Sequence, residues 1–475
     1  MPTPVITIAQ MREWEQATWA TGVSEESVMR RAGAAVARVA MRMTRAGDEV
    51  LVLAGKGHNG DDARFAAEDL PARRVRVVNV TDPAAAVAEV GGFSGALIVD
   101  GLFGIGLSRP LEGDWLRLVQ ALNHSSVPIL AVDVPSGLNA DTGEPLGDAV
   151  RASVTLTFGA MKQGLLRSSA APFTGRLEVA AEIGLVRCPF RTELNWTLPE
   201  DFAHFPPPRP VEGHKGTFGH LAIIAGSQGF HGAAVLAARG ALRAMPGLVS
   251  VFTTERAYPL VAAQLAQAMV HPWTPDTLLP KSCSAILIGP GLAGVDVPKQ
   301  LVQEAVRLWS ESSLPVIADA SALSWLPQGP TLTGALRVVT PHPGEAAAML
   351  GIAKAGVLSD RAESLREISR TRGDCWVVLK GRHTLVGRER GELFVNSSGN
   401  PRLAQGGSGD VLAGFLGGWI AQSQLQADAG LTIRHADWEH GHAADVLSAR
   451  QRAWEMVELV QSLGNSMAAG EGGEV

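Results

Sequence analysis

Short β-rich runs, several of them continuously apolar, constrain this chain more than any other feature. The first half carries VLVLAG, VRVVNV, GALIVDG, PILAVDVP, SVTLTFG and GRLEVAAEIG. A strand with one wet face alternates polar and apolar residues. A strand that stays apolar throughout is buried on both faces, which points to a mostly parallel sheet with helices on each side. Ala-rich helical stretches separate several of these runs. The pattern restarts after residue 219 with HLAIIAG, LVSVFTT, AILIGPG, PVIADA, RVVTPHP and CWVVLKG. Between the two series lies a proline-dense stretch with Pro199, Pro206, Pro207, Pro208 and Pro210, which neither a helix nor a central strand tolerates. We therefore expect two α/β domains, residues 1–205 and 212–465, and a Gly-rich acidic tail over 466–475. A length of 475 residues, too long for one comfortable core, agrees with this division.

Composition removes several functional classes. The net charge is −6 and no Lys/Arg block stands out, which argues against a nucleic-acid surface. The three cysteines, Cys188, Cys283 and Cys375, lie far apart and read as free thiols in a reducing compartment. Neither a signal peptide nor a run of roughly 20 apolar residues is evident, so a cytoplasmic protein without membrane contact is expected.

In open parallel sheets, ligands bind at the carboxyl ends of strands. After VLVLA come Gly55, Gly57 and Gly60 in the spacing of a dinucleotide-binding turn. An ordinary dehydrogenase would also need an acid for the ribose at the end of the next strand. That position offers only Asn79 and, further on, Asp82. Three strand ends bear polar groups: His58 to Asp62, Asp100 followed by the flexible Gly104 to Pro110, and Asp133 with Ser136. Asn59, Asp100 and Ser136 are hard oxygen donors suited to a hard cation rather than to zinc. Asp133 is either the cap of a Pro-Ser-Gly turn or a general acid/base. In the second half, Gly406, Gly407 and Gly409 lead into an apolar helix whose first turn holds Asp410. Backbone amides at such a start form an anion hole for a transferring phosphoryl group, and the aspartate is either a cap or the base that activates an attacking hydroxyl.

AGKGHNGDDARFAA, VDGLFGIGLSRP and VDVPSGLNADTG, in this order, resemble the NAD(P)H-hydrate epimerase domain. VEGHKGTFGHLAIIAGSQGFHGAA, AILIGPGLAG, VIADASAL, VVTPHPGEAAAML, VVLKGRHTLV and GNPRLAQGGSGDVLAG resemble the ADP- or ATP-dependent NAD(P)H-hydrate dehydratase, a relative of ribokinase-like kinases. The resemblance implies a Rossmann-like α/β/α sandwich followed by a ribokinase-like α/β domain with a mostly parallel sheet. It implies that the first domain interconverts the R and S forms of hydrated NADH and NADPH. The second would dehydrate the S form at the expense of ADP or ATP, ADP being preferred, giving NAD(P)H, AMP and phosphate.

By that resemblance Asp133 and Asp410 are the catalytic residues. His58, Asn59, Gly60, Asp61, Asp62, Gly104, Ile105, Gly106, Leu107, Ser108, Arg109 and Pro110 contact the hydrated nucleotide in the first domain, as do Ala233, Gly291 and His342 in the second. Lys380, Gly381, Arg382, His383, Thr384 and Gly409 hold the adenine nucleotide. Asn59, Asp100 and Ser136 hold K+, and Mg2+ accompanies the nucleotide. The family tends to form homo-oligomers, and the same is expected here. Arg30 and Arg31 stand where the family has Glu and Asn, Asp61 where it has Gly, and Ser321 where it has Asp. Other readings remain at this point. One is a small-molecule kinase with a non-catalytic nucleotide-binding module before it, and another is a conventional NAD dehydrogenase.

Overall fold

A computed structural model describes residues 2–465; the tail expected over 466–475 lies outside the described residues. The chain divides into two compact units, Pro2–Trp196 and Thr197 onward.

In the first unit the strands are β1 (Thr3–Ile6), β2 (Glu49–Ala54), β3 (Arg74–Asn79), β4 (Leu97–Gly101), β5 (Ile129–Val132), β6 (Val154–Phe158), β7 (Met161–Lys162), β8 (Arg176–Ala180) and β9 (Leu194–Trp196). Six of them form a parallel sheet in the order β3-β2-β4-β5-β6-β8. Val50 and Val52 of β2 enter the core on one face, while Leu51 and Leu53 enter the core on the other. The continuous apolar run is thus explained by burial on both sides. After β2 the chain goes outward to β3 and then returns to β4 on the opposite side of β2. The loops leaving β2 and β4 therefore diverge, and this switch point is where a crevice opens.

Two of the three glycines of the first turn, Gly55 and Gly60, serve packing. A Cβ on Gly60 would overlap the carbonyl oxygen of Gly55, and one on Gly55 would overlap that of Leu102. Helix His58–Glu68 is drawn against helix Glu25–Met43 in the same way, since a Cβ on Gly33 would lie 2.5 Å from Cβ of Phe65.

The second unit contains β10 (His220–Ile224), β11 (Leu248–Thr253), β12 (Met269–Pro272), β13 (Ala285–Ile288), β14 (Val316–Ala318), β15 (Arg337–Val339), β16 (Trp376–Leu379), β17 (Leu385–Gly387) and β18 (Leu393–Val395). Their order is β12-β11-β10-β13-β14-β15-β16-β17-β18, parallel from β12 through β16 and antiparallel beyond. The apolar runs locate six of these strands. β12, largely exposed, and β17 and β18, set among polar and charged residues, carry no distinct apolar run. Helix Ser408–Ile420 is buried almost throughout because small residues let helix His231–Arg243 approach it. A Cβ on Gly414 would overlap the Ala237 carbonyl, and one on Gly240 the Val411 carbonyl.

The proline stretch lies within the second unit. The Thr197 amide donates to Val395 O at 2.9 Å, Phe202 packs against His435 and Trp438 at centroid distances of 5.3 and 5.5 Å, and Asp201 pairs with Arg434. Prolines break regular structure, yet the aromatic and acidic residues beside them give this segment a docking surface.

Candidate functional site

In the first unit the switch point is a cavity of about 810 Å³, lined by the turns after β2 and β4, by Asp133, and by helices Ile8–Trp19 and Glu25–Met43. Asp133 follows β5 with φ of +61°, a left-handed conformation that aspartate tolerates better than most residues. Its Oδ1 accepts from Lys162 Nζ at 2.8 Å, Thr157 Oγ1 at 3.0 Å and the Phe158 amide at 3.2 Å. Lys162 is fully buried and also donates to Phe158 O at 2.7 Å. Three donors on one oxygen fix the carboxylate and leave Oδ2 for the cavity. None of these three donors belongs to the Pro-Ser-Gly turn.

His58, Asn59, Asp62 and the whole of Gly104–Pro110 line the cavity. Gly60 and Asp61 do not. Gly60 is packed against Gly55, and Asp61 points away to pair with Arg64 at 2.6 Å. Asn59 and Asp62 are one helical turn apart and so share the inward face. Asp62 is buried with no hydrogen bond to Oδ1, and burial first, then the carboxylates of Asp133, Asp61 and Glu15, push its carboxyl well above the usual range. Glu15 is raised too, chiefly by burial and then by Asp133. Sequence reasoning missed Lys162 and Glu15. A lysine inside FGAMKQG is a faint signal at best.

The proposed ribose-acid positions are committed elsewhere. Asn79 accepts from Arg64, and Asp82 caps helix Pro83–Gly91. Arg30 lies outside the cavity, stacked on Phe65 and paired with Glu26 and Glu68.

The oxygen donors Asn59, Asp100 and Ser136 converge on the Phe103–Gly104 backbone. Ser136 Oγ donates to Asp100 Oδ1 at 2.6 Å and accepts from the Phe103 amide at 2.9 Å, and a Cβ on Gly104 would lie 3.1 Å from Asn59 Oδ1. Asp100 is fully buried, and burial pushes its carboxyl to about 6 against the hydrogen bonds from Ser136 and Leu102. No cationic side chain is among its hydrogen-bond partners.

In the second unit the loops after β10 and β13 meet. Gly226 N donates to Pro290 O at 2.8 Å, and a Cβ on Gly291 would lie 2.8 Å from Ala233 Cβ, so these two expected contacts are neighbours. Gly407, at φ of +95°, begins the helix that bears Asp410. Next to it Lys380 Nζ bonds Asp319 Oδ1 at 2.9 Å, and a Cβ on Gly409 would lie 3.3 Å from that nitrogen. Burial first and then the charge of Asp319 push the Asp410 carboxyl to about 6, while Lys380 opposes them. Burial disfavours the Lys380 charge, but Asp319, Glu345 and Asp410 together outweigh it and raise the ammonium. The site thus joins an anion-binding helix start, a fixed cation and a carboxylate poised near neutrality.

The loop Lys380–Thr384 is held by Arg361, which donates to Leu379 O, Arg382 O and His383 O at 2.9, 2.6 and 3.0 Å. His342 has a structural duty, since its Nδ1 accepts from the Gly344 and Glu345 amides and caps helix Pro343–Leu350. Its Nε2 lies 3.7 Å from Glu345 Oε1 on a side chain that is 59% exposed. Ser321 lies in the short 3-10 turn after Asp319, and Asp319 supplies the carboxylate on Lys380 without it.

Comparison with known proteins agrees with both halves. The family described as NAD(P)H-hydrate dehydratase matches residues 221–464, and that described as YjeF-related protein N-terminus matches 25–90 and 81–164. The bifunctional NAD(P)H-hydrate repair enzyme Nnr of Gloeobacter violaceus is 37% identical over 487 residues, covering 93% of each chain. The Escherichia coli protein of that name is 35% identical, covering 90% of this chain and 86% of its own. A crystal structure of the ADP/ATP-dependent NAD(P)H-hydrate dehydratase from Bacillus subtilis, co-crystallized with ATP and Mg2+, is 30% identical. It has a TM-score of 0.50 and covers 56% of this chain and 95% of its own. A ribokinase-like protein from Enterococcus faecalis, 23% identical with a TM-score of 0.52, shares the fold. The chain belongs to the family of bifunctional NAD(P)H-hydrate repair enzymes, an epimerase unit followed by a dehydratase unit.

Proposed function

We propose that Asp133 is the acid/base that interconverts the R and S hydrates in the first-unit cavity, and that Asp410 is the base of the dehydratase. In the second unit Asp410 takes the proton of the C6 hydroxyl as that oxygen attacks the terminal phosphate of ADP or ATP. The amides at Gly407–Gly409 and the Lys380 ammonium meet the charge that develops on the phosphoryl group. Phosphorylation turns hydroxide into a good leaving group, and loss of phosphate from C6 together with a proton from C5 restores the double bond of the nicotinamide. Ala233, Gly291 and His342 border the hydrated nucleotide, and Lys380–Thr384 with Gly409 hold the adenine nucleotide, for which we favour ADP. Mg2+ would neutralise the phosphates, and Asp319 and Glu345, which face Lys380 and Asp410, are placed to meet it.

The buried, uncompensated Asp100 carboxylate fits a hard monovalent cation beside Ser136 and Asn59. There K+ would supply the missing positive charge beneath the Gly104–Pro110 turn.

One observation carries this reading. A single chain holds two separately built carboxylates, one fixed by a buried lysine at a strand end and one set at a glycine-rich helix start beside a lysine. The test is recovery of reduced-nicotinamide absorbance from mixed R/S hydrates with ADP or ATP and Mg2+. Wild type should recover all of it, Asp410→Ala none, and Asp133→Ala only the S fraction. Consumption of nucleotide on other hydroxyl compounds, with no nicotinamide restored, would make the second unit a small-molecule kinase instead.

A further inference from the structure

Epimerisation at C6 needs a proton donor as well as an acceptor, because this carbon bears both the hydroxyl and the ring nitrogen. We propose that Asp62 is the general acid of the epimerase reaction, working with Asp133 as its base; this inference rests on the assignment of the cavity given above.

The argument begins with what surrounds Asp62. It lies on the inward face of helix His58–Glu68 and lines the same cavity as Asp133 and Glu15, yet its buried Oδ1 has no hydrogen-bond partner. Two of the nearby cations are already engaged. Lys162 gives its ammonium to Asp133 and to Phe158 O, and Arg64 gives its guanidinium to Asp61, Gly55 O and Asn79. From the first helix Glu15 and Arg12 face the cavity, on helix Glu25–Met43 the uncharged Gly33 packs against the Asp62 backbone, and from the loops Lys56, Arg109 and Glu112 also line the cavity. Glu25, further along that helix, lies beside His58 at 3.6 Å. A buried carboxyl with no donor on Oδ1 and with carboxylates for neighbours is pushed toward its protonated form, by burial first and then by Asp133, Asp61 and Glu15. Asp133, by contrast, takes three donors on one oxygen, the Lys162 ammonium among them. Two carboxyls in one cavity thus stand in opposite settings, one without a donor and one with a cation, which is how an acid and a base are told apart in a structure.

The step balances as follows. The Asp62 carboxyl gives its proton to the C6 hydroxyl oxygen, the C6–O bond breaks, and water leaves. The lone pair of N1 forms the C6–N1 double bond of a planar iminium. Water then adds to the other face of C6 while Asp133 takes one of its protons, and the electrons of the double bond return to N1. The product is the opposite epimer, and the proton has passed from Asp62 to Asp133. The return reaction, or exchange through water in the cavity, resets the pair.

The test compares Asp62→Asn and Asp62→Glu with wild type in the full-length enzyme. Asp62→Asn should lose about a hundredfold or more in epimerase kcat with KM changed by less than about threefold, and Asp62→Glu should recover part of the loss. Wild-type epimerase kcat should fall as pH rises through the ionisation of Asp62, and that descending limb should vanish in Asp62→Asn. Epimerisation in heavy-oxygen water should place solvent oxygen on C6 once per inversion. Dehydratase activity, measured on the S hydrate alone, should be unchanged and reports the second unit, and the partial activity of Asp62→Glu reports that the first unit is folded.

The proposal is overturned if Asp62→Asn keeps its kcat, if its loss lies wholly in KM, or if the C6 oxygen is retained through inversion. Asp133→Asn, run in parallel, separates the two levels. Full activity in that variant means that the cavity assignment fails. A dead Asp133→Asn beside an active Asp62→Asn means that only the proton-donor role fails.

Discussion

Replacing Lys162 with methionine tests whether the ion pair at Asp133 is built as described. Lys162 is fully buried and the Asp133 side chain is 11% exposed, so the substitution leaves a carboxylate in an apolar setting without its counter-charge. Breaking a buried pair on one side costs about 3–5 kcal/mol. Thr157 and the Phe158 amide still donate to Asp133, and Oδ2 meets the cavity, so the low end, about 3 kcal/mol, applies.

The assay is amide hydrogen exchange, reading peptides over Val154–Lys162 against peptides over Ala285–Ile288 in the other unit. A loss of about 3 kcal/mol should speed the slowest amides of the first segment by about a hundredfold. The second segment serves as the internal standard. Adding Asp133→Asn to Lys162→Met removes both charges while keeping a residue that tolerates φ of +61°, and it should return most of the protection. The reasoning is refuted if Lys162→Met exchanges at the wild-type rate, or if the double variant is no better protected than the single one.

Other consequences can be measured directly. Dehydratase kcat/KM should climb with pH and reach half its plateau near pH 6, because Asp410 must be ionised to act as a base and its carboxyl has been raised to about 6. Asp319→Asn removes one of the charges that raise it and should move that limb to lower pH, read from a pH–rate profile. Arg361→Gln takes donors from three carbonyls around the Lys380–Thr384 loop. It should raise the nucleotide KM by about tenfold or more with epimerase activity unchanged, as steady-state kinetics on each unit's reaction will show. Arg30→Ala should alter epimerase kcat/KM by less than about twofold, since Arg30 engages Phe65, Glu26 and Glu68 rather than the cavity.

Strands buried on both faces were legible because the signal is carried by every residue in them. Strands β17 and β18 were not, since Leu385–Gly387 and Leu393–Val395 stand among polar and charged residues, and their place is set by antiparallel pairing of β17 with β16 and of β18 with β17. The strand-end rule located Asp133, Asp100 and the Gly104 turn. It could not tell which residues of the His58–Asp62 stretch turn inward. That depends on where the helix begins, and it begins at His58, which puts Asn59 and Asp62 on one face and Asp61 on another. Lys162 was hidden because the partner that keeps it buried is 29 residues earlier in the chain. His342 was found by motif, but its capping role shows only once helix Pro343–Leu350 is seen to start on its ring.

The docking of the proline stretch bears on how this enzyme can be divided. Phe202 and Phe205 enclose the ring of His435 together with Trp419, and Asp201 is the counter-charge of Arg434. A fragment started after the prolines would expose that aromatic nest to water. It would strand the guanidinium of Arg434 and give back to His435, now held near 4 by burial, a proton equilibrium in the physiological range. A separately expressed dehydratase half should therefore begin upstream of Thr197, and a natural split or fusion of the two genes would be tolerated best at that same position.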